Sequence, residues 1–448
     1  MAETGQRIFL RKETAFFADS VECCLDSSLV VYGHVLCGTY QLDESKQERV
    51  GGLHLFTVEG KDSREKLTED AAPCQFGRDE YLHLGAGVLD ARWFPSPAGE
   101  GKGMCALACA DCHLKLVEVD GPGHMETQGD GKTGLHLRES LACHPHLESP
   151  PSNVIGLAVE VSEPSSRVVM TCSDGIVAGF DLNRAAEGGK GKGTTNMTFE
   201  FKAHDAETWA LALDPEDPHF VATGADDCRL RLWDLREAPK PRDGSAGGEG
   251  GDPEQTLSWT AQNGKAHSAG VTALLVPPAG SSFGPSKLLS GSYDETVLLW
   301  DRRMMTRPLW EHRAVGGVWR IRLRPKKSMG GSGPSGGESG TEQLLLAACH
   351  GGVEAVDLHV VRGSGGEVGE TSVSESKKRM HLEEHKSMAY GLSVVPVLYG
   401  KDRDEEGAEE TVGKEKEDTT ETTKRLEWTG VSCSFYDSCL LVWDLPIL

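Results

Sequence analysis

The chain has 448 residues, a formal net charge of −23 and thirteen cysteines. Such an acid excess speaks against nucleic acid or an anionic membrane as the main partner, since both demand clustered Lys and Arg. The first twenty residues hold no long apolar stretch and no apolar run is long enough to span a bilayer, so neither secretion nor a membrane span is expected. The cysteines then read as reduced, buried small hydrophobes, and the expected location is cytoplasmic.

Taken in chain order, short runs of Val, Leu, Ile and Phe alternate with Gly, Asp, Asn and Ser turns, and helical periodicity is almost absent. Residues 6–13, Gln-Arg-Ile-Phe-Leu-Arg-Lys-Glu, form a lone first strand. Strands at 20–25, 35–40 and 52–58 build a first unit over about 18–59. Six more units follow over about 81–120, 150–183, 204–259, 267–310, 312–361 and 385–445. Between or within them, segments 121–136, 184–197, 237–255, 326–342, 362–380 and 400–425 are Gly/Ser-rich or densely charged. Their composition cannot build a core, and they are expected to be disordered inserts.

The units are copies of one another. Thr223-Gly-Ala-Asp-Asp-Cys-Arg-Leu-Arg-Leu-Trp-Asp234, Ser290-Gly-Ser-Tyr-Asp-Glu-Thr-Val-Leu-Leu-Trp-Asp301 and Cys433-Ser-Phe-Tyr-Asp-Ser-Cys-Leu-Leu-Val-Trp-Asp444 align without gaps. Asp227, Asp294 and Asp437 each stand six residues before a tryptophan: Trp233, Trp300 and Trp443. Weaker copies pair Asp174 with Phe180 and Asp111 with Val117, and His350 replaces the Asp before Val356. The Asp suits a tight turn between two strands, because its short acceptor satisfies turn amides. His204, His267 and His385, upstream of the strong copies, are expected to bond to those aspartates and lock each unit. This is a WD repeat. The fold predicted is an all-β, seven-bladed WD-repeat β-propeller in a single domain, closed by strand 6–13 completing the last blade.

Several familiar motifs carry nothing here. Cys109-Ala-Asp-Cys-His113 matches the haem-attachment pattern, yet Asp111 already belongs to the repeat and no second cysteine pair follows at zinc-finger spacing. Gly280–Gly284 and Gly333–Gly337 match the nucleophile-elbow pattern, but neither precedes a helix. No metal and no cofactor is expected.

Function is better sought where residues exceed what the repeat needs. Trp319 and Arg320 open an innermost strand, His350 sits where other units carry Asp, and Glu207 and Trp209 follow His204. Tyr390 is the comparable residue after His385, and Asp19 begins the inner strand of the first unit. Inner-strand starts converge on the central channel at one face, so these side chains can share one pocket. The plain alternative is that Trp209, Trp319 and Tyr390 pack between blades.

Ala18-Asp-Ser-Val-Glu22, Cys37-Gly-Thr-Tyr-Gln-Leu42, Gly291-Ser-Tyr-Asp-Glu295, Gly316-Gly-Val-Trp-Arg-Ile321, Leu344-Leu-Leu-Ala-Ala-Cys349 and Ser432-Cys-Ser-Phe-Tyr-Asp437 carry a resemblance. In these segments the chain resembles the WD-repeat proteins of diphthamide biosynthesis, the diphthine methyl ester hydrolases, also called diphthine methyltransferases. The resemblance spans the first blade and the last four and is thin between about 60 and 200. It implies removal of the methyl ester of methylated diphthine on elongation factor 2, before the final amidation. It also implies elongation factor 2 as protein substrate, with other diphthamide-pathway enzymes as further partners, and a monomer that engages neither nucleic acid nor membrane. Diphthine carries a quaternary ammonium, for which an aromatic and acidic pocket is the expected receptor. Asp19, Glu207, Trp209, Trp319, Tyr390 and Tyr436 are the candidate substrate-binding residues. His350 is the candidate general base and Arg320 the candidate contact for the oxyanion or carboxylate. Two alternatives belong to other classes. One is a non-catalytic scaffold. The other is a substrate receptor of a cullin-type ubiquitin ligase, for which Trp233-Asp-Leu-Arg236 and Trp300-Asp-Arg-Arg303 supply the Trp-Asp-x-Arg pattern.

Overall fold

A computed structural model describes residues 8–23, 33–61, 72–95, 103–119, 135–142, 153–162, 167–182, 197–239, 257–326, 339–363, 371–400 and 424–445. Among the described residues, twenty-eight strands form seven four-stranded antiparallel sheets. The first comprises β2 (Phe17–Cys23), β3 (His34–Asp43), β4 (Glu48–Gly60) and β5 (Cys74–His83). The second holds β6 (Val88–Pro95), β7 (Gly103–Cys109), β8 (His113–Val119) and β9 (Leu135–Ala142). The third holds β10 (Gly156–Ser162), β11 (Arg167–Cys172), β12 (Ile176–Asp181) and β13 (Met197–Lys202). The fourth runs through β14 (Ala210–Leu213), β15 (Phe220–Gly224), β16 (Leu230–Asp234) and β17 (Ala261–Asn263). The fifth runs through β18 (Val271–Leu275), β19 (Lys287–Ser292), β20 (Thr296–Asp301) and β21 (Trp310–Arg313). The sixth has β22 (Arg320–Leu323), β23 (Gly340–Ala347), β24 (Val353–Arg362) and β25 (Thr371–Leu382). The seventh has β26 (Ala389–Gly400), β27 (Lys424–Ser434) and β28 (Cys439–Asp444), and its outer strand is β1 (Ile8–Glu13).

The protein is a seven-bladed β-propeller. β1 pairs with β28 in the register Ile8↔Trp443, Leu10↔Val442 and Lys12↔Leu440, so the N-terminal strand closes the ring as its lone position implied. Closure covers the edge of β28, which would otherwise offer unpaired amides and carbonyls.

Apolar side chains of adjacent sheets meet in seven buried clusters, and each cluster spans one neighbouring pair of blades. Val35, Phe56, Val395 and Val442 join blade one to blade seven, for example, and Leu344, Leu289 and Val297 join blade six to blade five. The middle strands supply these contacts because both of their faces are covered; β11 and β20 are buried at nearly every position. No helix among the described residues is long and apolar enough to cross a membrane.

The outer strands correct two features of the sequence reading. Residues 74–83 are the fourth strand of blade one, whereas a second unit was expected to begin at 81. Residues 371–382, within or just past the expected 362–380 insert, form β25 and pair with β24 along its whole length. Likewise β9, β13 and β23 begin inside expected inserts, at Leu135, Met197 and Gly340. The physical reason is exposure: β25 shows most of its side chains to solvent, and Ser, Glu and Lys there mimic a solvated insert. Most of the rest of the expected inserts, including 401–423, lies outside the described residues.

Candidate functional site

The repeat residues account for themselves first. In blade four Trp233 Nε1 donates to Thr223 Oγ1 at 2.8 Å, Thr223 Oγ1 meets His204 Nε2 at 2.8 Å, and His204 Nδ1 faces Asp227 at 3.0 Å. Blade five repeats the chain through Trp300, Ser290, His267 and Asp294, with distances of 2.8, 2.8 and 3.2 Å. Burial pushes the pKa of both histidines down, keeping the rings neutral, with Nδ1–H available to the carboxylate. In blade seven Trp443 and His385 share Ser432, but Asp437 bonds Ser434 and the Lys386 amide instead, leaving His385 Nδ1 buried without a partner. Potential ligand atoms of His385, Asp437 and Cys439 lie within 4.8 Å of one another, the one such grouping among the described residues. It is a loosened version of the same lock. The Cys109–His113 motif shows no metal geometry: Cys109 and Cys112 are buried, and Cys112 Sγ lies 3.6 Å from Cys172 Sγ in the next blade.

Residues in excess of the repeat gather at the channel face where inner strands begin. Trp209, just before β14, lies 5.3 Å between ring centroids from Trp319, just before β22. Trp319 stacks on Tyr390 at 4.6 Å, and Tyr390 continues to Phe435 at 5.7 Å. Phe435 then touches Tyr40, Phe17 and Tyr436 at 4.8, 5.0 and 4.9 Å. The result is an aromatic arc running from blade four through blades six and seven to blade one. Trp209, Trp319 and Tyr390 are each half-buried and Tyr436 is 62% exposed, so the arc presents ring surface to solvent while Phe435 anchors it.

Beneath the arc the inner strands of blades one, two, three and six place a buried ion network. Asp90 accepts from Arg320 at 2.8 Å, from Arg92 at 2.9 Å and from the Val159 amide at 3.1 Å. Arg92 reaches on to Glu160 at 2.8 Å, and Arg322 to Glu22 at 2.9 Å. Although burial opposes its charge, these guanidiniums hold the Asp90 carboxyl below its ordinary range. Asp19 is treated differently. It is 5% exposed, and burial, with Asp90 adding repulsion and Arg320 only partly compensating, pushes its pKa up to about 8. Its charge is felt at the hydroxyls of Tyr40 and Tyr390, so the acid lies under the arc.

The structure therefore brings together Asp19, Trp209, Trp319, Tyr390 and Tyr436. Glu207 is exposed at the end of the arc, where its charge and a bond from Trp209 both act on Asp226. Arg320, the candidate contact for the oxyanion or carboxylate, is at the site and bonds Asp90 through Nη2 at 2.8 Å. His350 is exposed in the turn between β23 and β24, and among the described residues no hydrogen bond or ring contact joins it to the arc. Tyr40, Phe435 and Asp90 also belong to the site and carry no mark of it in the local sequence. Tyr40 and Phe435 stood within Cys37–Leu42 and Ser432–Asp437, but only the closing of the ring shows that these segments are neighbours. Arg236 and Arg303 of the Trp-Asp-x-Arg motifs each bond the aspartate of their own repeat, Asp234 and Asp301.

A family model described as WD domain, G-beta repeat, matches residues 195–234 and 257–301. A diphthine methyltransferase homolog from Dictyostelium discoideum is 23% identical over 91% of this chain and 92% of its own length. Diphthine methyltransferases of Mus musculus and Homo sapiens are 29% and 26% identical over 77% and 75% of this chain. The matches take in 61% and 65% of those two proteins, so the chain spans less than two thirds of their length. A chain in the Crystal Structure of Mitotic Checkpoint Complex superposes with a TM-score of 0.52, covering 100% of this chain and 97% of that one at 11% identity, a likeness of fold alone. The likeness to diphthine-modifying WD-repeat proteins drawn from the motifs thus extends over most of the chain.

Proposed function

We propose that this protein acts in diphthamide biosynthesis, removing the methyl ester from methylated diphthine on elongation factor 2. The observation that carries the reading is the aromatic arc Trp209–Trp319–Tyr390 above the buried acid Asp19. A quaternary ammonium is attracted to aromatic faces and gains most where water is excluded. An open mouth suits a substrate that is one long side chain on a folded protein. The names of the relatives support the pathway, and the quoted motifs support the ester as the reacting group.

In this reading the ammonium rests on Trp319 and Tyr390, with Trp209 and Tyr436 at the sides and Glu207 at the rim. Entry of a cation favours the ionised form of Asp19, so binding would expel its proton. His350, exposed at the same face, is the base proposed to activate water, because a neutral imidazole nitrogen can take the proton that the attacking water gives up. Arg320 holds Asp90 and so fixes the floor of the site. The attacking water adds to the ester carbonyl, the tetrahedral intermediate collapses, and methanol leaves with a carboxylate remaining on the substrate.

The test is to incubate the full-length protein with elongation factor 2 carrying the methylated intermediate, and to follow its mass. Loss of one methyl group with release of methanol is the expected result. A gain of methyl that depends on a methyl donor would instead make the relatives' name literal and overturn the hydrolytic reading. No change in either assay would favour a scaffold.

A further inference from the structure

A cavity opens on the face opposite the arc. The arc is built from segments that precede inner strands, whereas this cavity, about 400 Å³, is lined by segments that follow the inner strands of blades four, five and six, with Arg302 after β20 and Arg362 ending β24, and it includes the carboxylates of Asp214 and Glu216. Four basic side chains meet there in a chain whose net charge is −23. Three are balanced: Lys287 by Asp301 at 3.2 Å, Arg302 by Asp214 at 2.6 Å, and Lys326 by Glu342 at 2.6 Å.

Arg362, at the end of β24, has no carboxylate partner among the described residues. Its guanidinium lies over Gly284, where an added Cβ would fall 2.1 Å from Nη2. Gly284 also has φ +75°, which an L side chain rarely adopts, so the loop is shaped to let this arginine cross it. Lys326 Nζ reaches Ser282 Oγ at 3.1 Å, placing a hydroxyl among the cations. Burial destabilises the Lys287 ammonium and Arg362 adds repulsion, a cost that an incoming anion would relieve.

From this geometry we propose that the cavity is a binding site for a phosphoryl group, held in the Arg362 fork with Arg302, Lys326 and the Ser282 hydroxyl around it. Donors converging from several loops match oxygens arranged tetrahedrally better than a planar carboxylate, and a planar guanidinium fork engages two of them at once. The volume admits a compact group with a short carrier. A free phosphorylated small molecule and a phosphorylated side chain share this chemistry. The proposal is independent of the activity assigned to the arc.

Calorimetry and ³¹P NMR on the full-length protein at low ionic strength test it, with inorganic pyrophosphate and a phosphoserine peptide as separate probes. Saturable binding of one equivalent is expected. Stronger binding of pyrophosphate marks a small-molecule source, and stronger binding of the peptide a protein-borne one. Arg362→Gln should weaken binding roughly 10- to 100-fold, the loss of a charged hydrogen-bonding partner. Gly284→Ala, which displaces Arg362 without removing its charge, should act in the same direction, while Trp319→Ala at the other face should leave phosphate binding unchanged. Absence of saturable binding at millimolar probe, or equal affinity in Arg362→Gln shown by its melting curve to be folded, overturns the site.

Discussion

Arg320 Nη2 lies 2.8 Å from Asp90 Oδ1, tying the inner strand of blade six to that of blade two. Asp90 is fully buried, and the Arg320 side chain is only 12% exposed. Without Arg320 the buried Asp90 keeps only Arg92 and the Val159 amide to offset its charge. Arg320→Met should therefore lower unfolding free energy by about 1–3 kcal/mol, the loss of one of two guanidiniums facing a buried carboxylate, and adding Asp90→Asn should restore part of it. Urea denaturation of the two single variants and the double variant measures this. Equal stability of all three with the parent would mean that the pair contributes no net stability.

The stacked Trp319 and Tyr390 predict a binding effect separate from chemistry. Trp319→Ala should remove about 1–2 kcal/mol of cation attraction, raising KM roughly tenfold for the quaternary ammonium substrate with little change in kcat. Trp319→Phe should recover most of it. A fall in kcat with KM unchanged would argue that the ring only packs between blades.

His350 makes a sharper demand. Its exposure means that His350→Ala should melt like the parent, yet lose about 10²–10⁴-fold in kcat if the imidazole is the base. Unimpaired ester hydrolysis by that variant would end the assignment and turn attention to Asp19.

Stability should fall at both ends of the pH range, for opposite reasons. Burial lowers the pKa of His54 and of His385 from 6.5 to about 4, so the unfolded chain takes up protons first. Their contribution is complete above about 6.5 and is lost as pH falls through about 4. Asp19 runs the other way, raised from 3.8 to about 8: its contribution is complete below 3.8 and is lost as pH rises through about 8. Melts from acid to mildly alkaline pH should show Asp19→Asn level with the parent near pH 3.8, gaining on it steadily as pH rises to about 8, and gaining no further above that. A uniform gain at every pH would sink this account.

Deleting residues 1–14 removes β1 and bares the edge of β28. Melting temperature should drop for the whole ring, not for one blade, because blade seven packs on both neighbours. The exposed edge should also promote concentration-dependent association, detectable by light scattering. An unchanged transition would show that the ring holds without its closing strand.

The locking histidines were legible because each stands upstream of an aspartate that precedes a tryptophan by six residues, and that short spacing survives in a one-dimensional string. The hydroxyl between them was not: Thr223, Ser290 and Ser432 are small and common, and only the fold shows each taking the Trp and His bonds together. The outer strands were misread as inserts where their side chains face water, β25 above all, since polarity marks exposure and not lack of structure.

At the site, local signals named Asp19, Trp209, Trp319 and Tyr390 as residues in excess of the repeat. The same signals could not reveal that Arg320 is already engaged, because Asp90 lies 230 residues away in the chain. Sequence by itself determined the seven-fold architecture and its closure, since repeat spacing and strand alternation are local properties. Only the tertiary structure decided which polar groups are available, because in a propeller the charges and rings that face one another come from different blades.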